Sequence, residues 1–103
     1  MVKRARPLAQ ASECAAKLKI LADPIRLAVL EALMGGPMQV GAIQQLLRVE
    51  QSLLSHHLQT LRKAGLVDTE RDGKAVLYRL AARTVPQTGG MAIDIGCCLL
   101  SFD

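Results

Sequence analysis

Residues 51–67, QSLLSHHLQTLRKAGLV, decide how the rest of the chain is read. At about 100° per residue, Ser52, Ser55, His56, Gln59 and Lys63 share one stripe of a helix, with Arg62 at its margin. Leu54, His57, Leu58, Leu61 and Ala64 share the other. Such a helix buries its leucines and shows water hydroxyl, imidazole, amide and cationic groups, with almost no carboxylate. Those are the donors and acceptors that meet base edges in a DNA major groove. Ser52 reads as the N-cap, which would aim the positive helix end at a phosphate. Gly65 reads as a left-handed cap, and Leu66 and Val67 as the start of a strand. Any surface helix has one polar and one apolar face, so this helix alone divides evenly between DNA reading and an ordinary solvated face. Its neighbours tip the balance.

Before this stretch, Asp23 and Pro24 open a helix, because Asp caps and Pro tolerates the first helical position. Ile25 to Met34 then supplies Leu27, Leu30 and Leu33 to a core, with Arg26 and Glu31 outside, and Gly35, Gly36 and Pro37 end it. Val40 to Leu47 reads as a short helix with Val40, Ile43, Leu46 and Leu47 inward, and Arg48 to Glu50 as the turn into the long polar-faced helix. Further upstream, Leu8 to Ala22 is helical, with Cys14, Leu18 and Leu21 on one face. Met1 to Pro7 is a basic arm whose Lys3, Arg4 and Arg6 serve solubility more readily than phosphate contact.

After Val67, DTERDGKAVLYRL reads as a hairpin turning at Asp72 and Gly73. Arg71 and Lys74 flank its tip and would press on a DNA backbone or enter a minor groove, whereas Arg79 is equally well an ordinary solvated charge. Helix, helix, turn, helix, hairpin is a winged helix-turn-helix: α+β, mainly helical, with a two-stranded β wing.

The segments LKILADPIRLAVLEAL, QSLLSHHLQTLRKAGLV and RDGKAVLYRL together resemble the small bacterial repressors of the arsenical-resistance and metallothionein-repressor family (ArsR/SmtB) over roughly residues 18–80. The resemblance implies a homodimer held by its terminal segments, repressing transcription from a pseudo-palindromic double-stranded operator until an inducer loosens it. Carried over by position, Gln51, Ser52, Ser55, His56 and Gln59 face bases, with Arg62 and Lys63 nearer the backbone. His57, on the inward stripe, reads as a hydrogen-bonded packing residue. Two metal sites known in the family find no match. Val40 to Leu47 lacks the Cys-x-Cys pair that one site places there, and no histidine follows His57 to build the carboxy-terminal zinc or nickel site.

Composition sets the outer limits. A chain of 103 residues is one domain. One Tyr, one Phe and no Trp leave little surface for stacking single-stranded bases. All 13 Lys and Arg lie in residues 1–83, which carry +6, against −2 for residues 84–103. The expected division follows: a DNA-binding body over 1–83 with its arm and dimerisation helix, and a tail over 84–103. Pro86, Gly89 and Gly90 interrupt the tail, so it reads as extended, with Met91, Ile93, Ile95, Cys97 and Leu99 on one strand face, packed on the body or on a second subunit. Without a long apolar run the expected location is cytoplasmic, with no membrane and no small-molecule substrate.

Cys97 and Cys98 are adjacent and can pair with each other only through a strained ring, so Cys14 is their natural complement, meeting one or both across a dimer. Three uses stand open: plain packing, a redox disulfide or polysulfide bridge, and a soft thiolate site for a metalloid such as As(III). A protein-interaction module controlled by a partner, or a repressor without any small-molecule site, is the competing function. An enzyme is the weakest reading, since Ser55 and His56 have no orienting acid and no phosphate-binding glycine loop is visible.

Overall fold

The computed structural model describes residues 7–86 and 91–102; Lys3, Arg4 and Arg6 of the basic arm and Gly89 and Gly90 of the tail lie outside them. Its elements run α1 (Leu8–Leu21), α2 (Pro24–Leu33), β1 (Met38–Gln39), α3 (Val40–Leu47), α4 (Gln51–Lys63), β2 (Val67–Asp72), β3 (Ala75–Leu80), a 3-10 turn (Ala82–Thr84), β4 (Ala92–Asp94) and β5 (Leu99–Ser101).

Local chemistry explains where the helices start and stop. Asp23 Oδ1 accepts from the backbone N–H of Ile25 at 2.9 Å and of Arg26 at 3.0 Å, satisfying two donors that the first turn of α2 leaves open. At the far end of α3, Arg48 takes a left-handed backbone with φ 55°, which swings the chain into α4. Helix α4 then closes on Gly65, whose φ is 77°. The Leu66 N–H donates to Leu61 O at 3.0 Å, the backward bond that such a cap makes with the orphan carbonyls of the last turn.

All four helices and the tail share one core. Leu21 from α1, Val29, Leu30 and Leu33 from α2 and Ile43 from α3 meet Leu54, Leu58 and Leu61 from α4, with Leu66 and Val67 at the base of β2. Each fully buried leucine contributes about 1.5–3 kcal/mol of transfer free energy, which fixes α4 on its inner stripe. Arg26 is half-buried instead of outside, because its guanidinium turns back onto Ile20 O and the His57 ring. Leu18 and Leu46, expected inward, are exposed at 43% and 60%.

The wing is three-stranded, in the order β1-β3-β2, all antiparallel. Met38 and Gln39 add a strand of two residues beyond the expected hairpin, pairing with Tyr78 and Leu77. Asp72 pairs with Ala75, so the tip consists of Gly73 and Lys74, one residue later than Asp72 and Gly73. Gly73 has φ 65° while Lys74 does not enter the left-handed region, the arrangement of a turn with glycine at its first central position.

The tail is two short strands. Ile93 pairs with Leu100, and the chain reverses between them, with Ile95 N–H donating to Cys98 O at 3.1 Å. The reversal removes the single apolar face expected of a continuous strand: Ile93 and Ile95 enter the core, whereas Met91 and Leu99 are exposed. Lys17 Nζ of α1 donates to Ile95 O at 3.0 Å, seating the turn against the first helix.

Candidate nucleic-acid interface

Helix α4 presents Gln51, Ser52, Ser55, His56, Gln59, Arg62 and Lys63 to solvent and turns Leu54, His57, Leu58 and Leu61 inward. Gln51, Ser52, Ser55, His56 and Gln59 line one open concavity of about 660 Å³. Arg62 and Lys63 lie in the last turn, beyond it. Leu53, also on the outer side, is 42% exposed and is the one apolar side chain next to this polar face that the sequence stripe did not include.

The entrance to α4 differs from expectation. Glu50, not Ser52, occupies the N-cap position, and it makes no side-chain capping bond. Ser52 lies inside the first turn, where its hydroxyl donates to Glu50 Oε1. Glu50 also joins the wall of the concavity, so the reading face carries a carboxylate that a count starting at Gln51 passes over. Serine is the stronger capping residue by type, but the helix starts two residues earlier and takes Ser52 into its first turn.

What holds α4 at its angle is a polar contact beneath the leucines. His57 is 6% exposed, and its Nδ1 accepts from Arg26 Nε at 2.9 Å. An accepting Nδ1 leaves the ring proton on Nε2, which lies 3.9 Å from Asp23 Oδ1. Arg26 Nη1 donates to Ile20 O at 3.1 Å, so one side chain links the end of α1, the start of α2 and the middle of α4. The Arg26 backbone N–H holds the Asp23 carboxyl below its ordinary range. Desolvation opposes this, while the His57 ring, the Ile25 N–H and the Arg26 charge pull the same way as the Arg26 N–H. Sequence periodicity identified His57 as a packing residue, but nothing in the local pattern identified Arg26 as its donor.

On the wing, Arg71 and Lys74 are both exposed, and among the described residues neither engages an ion pair. Arg79 is different: its Nη1 donates to Glu70 Oε2 at 2.8 Å, which cancels its charge locally. The wing tip therefore carries two unpaired cations beside the exposed Asp72, whereas the Arg79 cation of the stem is paired.

A second cluster lies at the other end of the fold. Cys14 of α1 and Cys97 of the tail turn form a disulfide with Cα atoms 5.9 Å apart, and Cys98 beside them is an exposed thiol. The three sulfurs lie within 4.8 Å of one another. They assemble within a single chain, so no second subunit is needed to bring them together. The donor set fits a soft ion only when reduced, because the disulfide occupies two of the three sulfurs.

The profile of the bacterial regulatory proteins of the arsR family matches residues 23–69, from the cap of α2 into β2 of the wing. A biofilm growth-associated repressor from Xylella fastidiosa is 35% identical over 88 residues, 85% of this chain and 77% of that protein. The chain belongs to the arsR family. The family consists of regulators, not enzymes. A biofilm growth-associated repressor from Agrobacterium fabrum is 44% identical over 72 residues, 70% of this chain but only 62% of that protein, so the match spans less than two thirds of this relative. Among solved structures, the homodimeric winged helix-turn-helix DNA-binding domain of Mb0332 from Mycobacterium bovis superposes with a TM-score of 0.65 at 32% identity, covering 80% of this chain and 77% of that one. The arsR-family match ends before the wing closes and leaves both cysteine-bearing ends outside it.

Proposed function

We propose that this arsR-family chain is a homodimeric transcriptional repressor that binds double-stranded operator DNA and lets go in response to a thiol-reactive inducer. The observation that carries the DNA reading is the pairing of an anchored helix with a charged tip. The outer face of α4 is polar but for Leu53, and Arg71 and Lys74 at the wing tip are exposed without ion-pair partners among the described residues. Gln51, Ser52, Ser55, His56 and Gln59 enter the major groove, Arg62 and Lys63 meet phosphates, and the wing tip tracks the adjacent backbone. Glu50 adds a carboxylate acceptor suited to the amino group of a cytosine. The repressor titles of the Xylella and Agrobacterium relatives and the homodimeric Mb0332 domain support the same reading.

Regulation falls to the body–tail junction. In this reading residues 1–83 read DNA, residues 84–103 report to them, and Cys14, Cys97 and Cys98 receive the signal as an oxidant, a polysulfide or a soft metalloid such as As(III). The metalloid would be held by the three thiolates of the reduced form. A cytoplasmic location accords with a DNA partner, and no described helix is long and apolar enough to cross a membrane.

Fluorescence anisotropy on DNA from upstream of the protein's own reading frame tests the proposal. Affinity should fall steeply with salt, and Arg71→Ala and Lys74→Ala should each weaken binding to all sequences and flatten the salt slope by about one unit. Gln59→Ala should change which sequences bind. Equal affinity for promoter and scrambled duplexes would refute a specific repressor.

A further inference from the structure

Three sulfurs meet where α1 passes the turn between β4 and β5, and they are not equivalent. Cys14 and Cys97 are half-buried and bonded to each other, whereas Cys98 is exposed and keeps its thiol. All three Sγ atoms lie within 4.8 Å of one another, close enough to exchange bonds after a small side-chain rotation. The neighbouring Cys97 and Cys98 can bond to each other only through a strained ring, so Cys14 is the partner open to both. A cavity of about 410 Å³ borders the bonded pair, with Gln10, Glu13 and Lys17 in its wall.

We propose that Cys98 is a modification site for low-molecular-weight disulfides of peptide thiols, and that it passes the oxidation on to Cys14 and Cys97. In the reduced protein the Cys98 thiolate is the sulfur such a reagent, RSSR, reaches first. Attack forms a bond from Cys98 Sγ to one sulfur of the reagent and breaks the reagent's own sulfur–sulfur bond, and the departing thiolate takes up a proton as RSH. The Cys14 thiolate then attacks Cys98 Sγ, forming Cys14–Cys98 and releasing the second RSH. Finally the Cys97 thiolate attacks Cys14 Sγ and displaces Cys98 as a thiolate. One reagent disulfide has become two thiols, the Cys14 and Cys97 thiols have become one disulfide, and Cys98 is returned unchanged. The end state of this sequence is the arrangement in the structure: the half-buried pair joined and the exposed thiol free.

The inference extends the thiol-controlled reading above, but it is read from the protein without DNA, so failure of the exchange and failure of DNA control are separate results. The experiment is to add oxidised glutathione to the fully reduced chain, quench with acid over time, and map the sulfurs by mass spectrometry. Wild type should pass through a transient glutathione adduct to the Cys14–Cys97 disulfide. Cys98→Ser and Cys98→Ala should reach the same disulfide roughly tenfold or more slowly, since the exposed attacking thiol is gone. Cys14→Ser should stop at a lasting adduct on Cys98. Oxidation of both Cys98 variants at the wild-type rate would overturn the proposal, as would an adduct of Cys14→Ser that maps to Cys97.

Discussion

Arg26 carries the most informative stability prediction, because one side chain sets the seat of the polar-faced helix. Arg26→Met keeps the length of the stem but deletes the donors to His57 Nδ1 and to Ile20 O. Hydrogen bonds to a charged group contribute about 1.5–3 kcal/mol, and an orphaned buried acceptor costs about 1–3 kcal/mol. His57 is 6% exposed, so water cannot replace the lost donor. The net loss should be about 2–3 kcal/mol, which lowers the urea midpoint by roughly 1–2 M for a chain of this size. The assay is urea unfolding of wild type, Arg26→Met, His57→Leu and the double variant at one protein concentration, since dimerisation shifts midpoints. Replacing both partners by apolar groups removes the orphan, so the double variant should be more stable than the two single losses added together, with a coupling of about 1–2 kcal/mol. A midpoint shift below about 0.3 M for Arg26→Met, or strictly additive losses, would refute the reasoning.

Asp23→Ala removes the cap of α2 and should cost about 0.5–2 kcal/mol at neutral pH. Because the folded chain holds the Asp23 carboxyl below its ordinary value of 3.8, its contribution is present above that value and lost as pH falls through the lower, folded one. Chemical unfolding at pH 7 and near pH 2.5 should therefore show the gap between wild type and variant narrowing in acid, and a gap that widens would sink the argument. Gly65→Ala places a side chain at φ 77° and against the Arg83 guanidinium, which donates to Gly65 O. A loss of about 1–2 kcal/mol is expected for the backbone alone, visible as a lower melting temperature, and an unchanged one would contradict the left-handed cap. The Cys14–Cys97 bond closes a separation of 83 residues, for which chain entropy gives about 4–5 kcal/mol. Reductant should lower the melting temperature of wild type by roughly 20 °C and leave Cys14→Ser unmoved; equal responses would show that the bond does not carry this stability.

The helices were legible in the sequence because their determinants are local. Asp23 with Pro24, the leucine spacing of residues 54–61, and Gly65 each act within a turn or two, and the structure places α2, α3 and the end of α4 within a residue of where those signals put them, whereas α4 starts two residues before the position that a Ser52 cap implies. The wing hairpin was legible from its turn, though the tip moved by one residue because Asp72 stays in the ladder and Lys74 takes the second central position. What was not legible depends on distant partners. Met38 and Gln39 have no strand pattern of their own and become one only against Tyr78 and Leu77. Arg26 looked like a surface charge because the acceptor that draws it inward is 31 residues away. The tail was read as extended, but its reversal rests on Gly96 and on packing against α1, which no window of sequence contains. Of the interface, the outer face of α4 was visible from periodicity, whereas Glu50 was missed because it lies just before the repeat begins.

The two-residue strand β1 has a mechanical consequence. Gln39 pairs with Leu77 of the wing and is also the residue from which α3 starts. With no slack between them, the wing cannot swing while α3 and α4 stay still, and the helix pair cannot pivot without dragging the ribbon. The base of the ribbon and the start of α3 are thus set on one common mount. Under the proposed function, a signal that moves α3 and α4 re-aims the base of the wing with them.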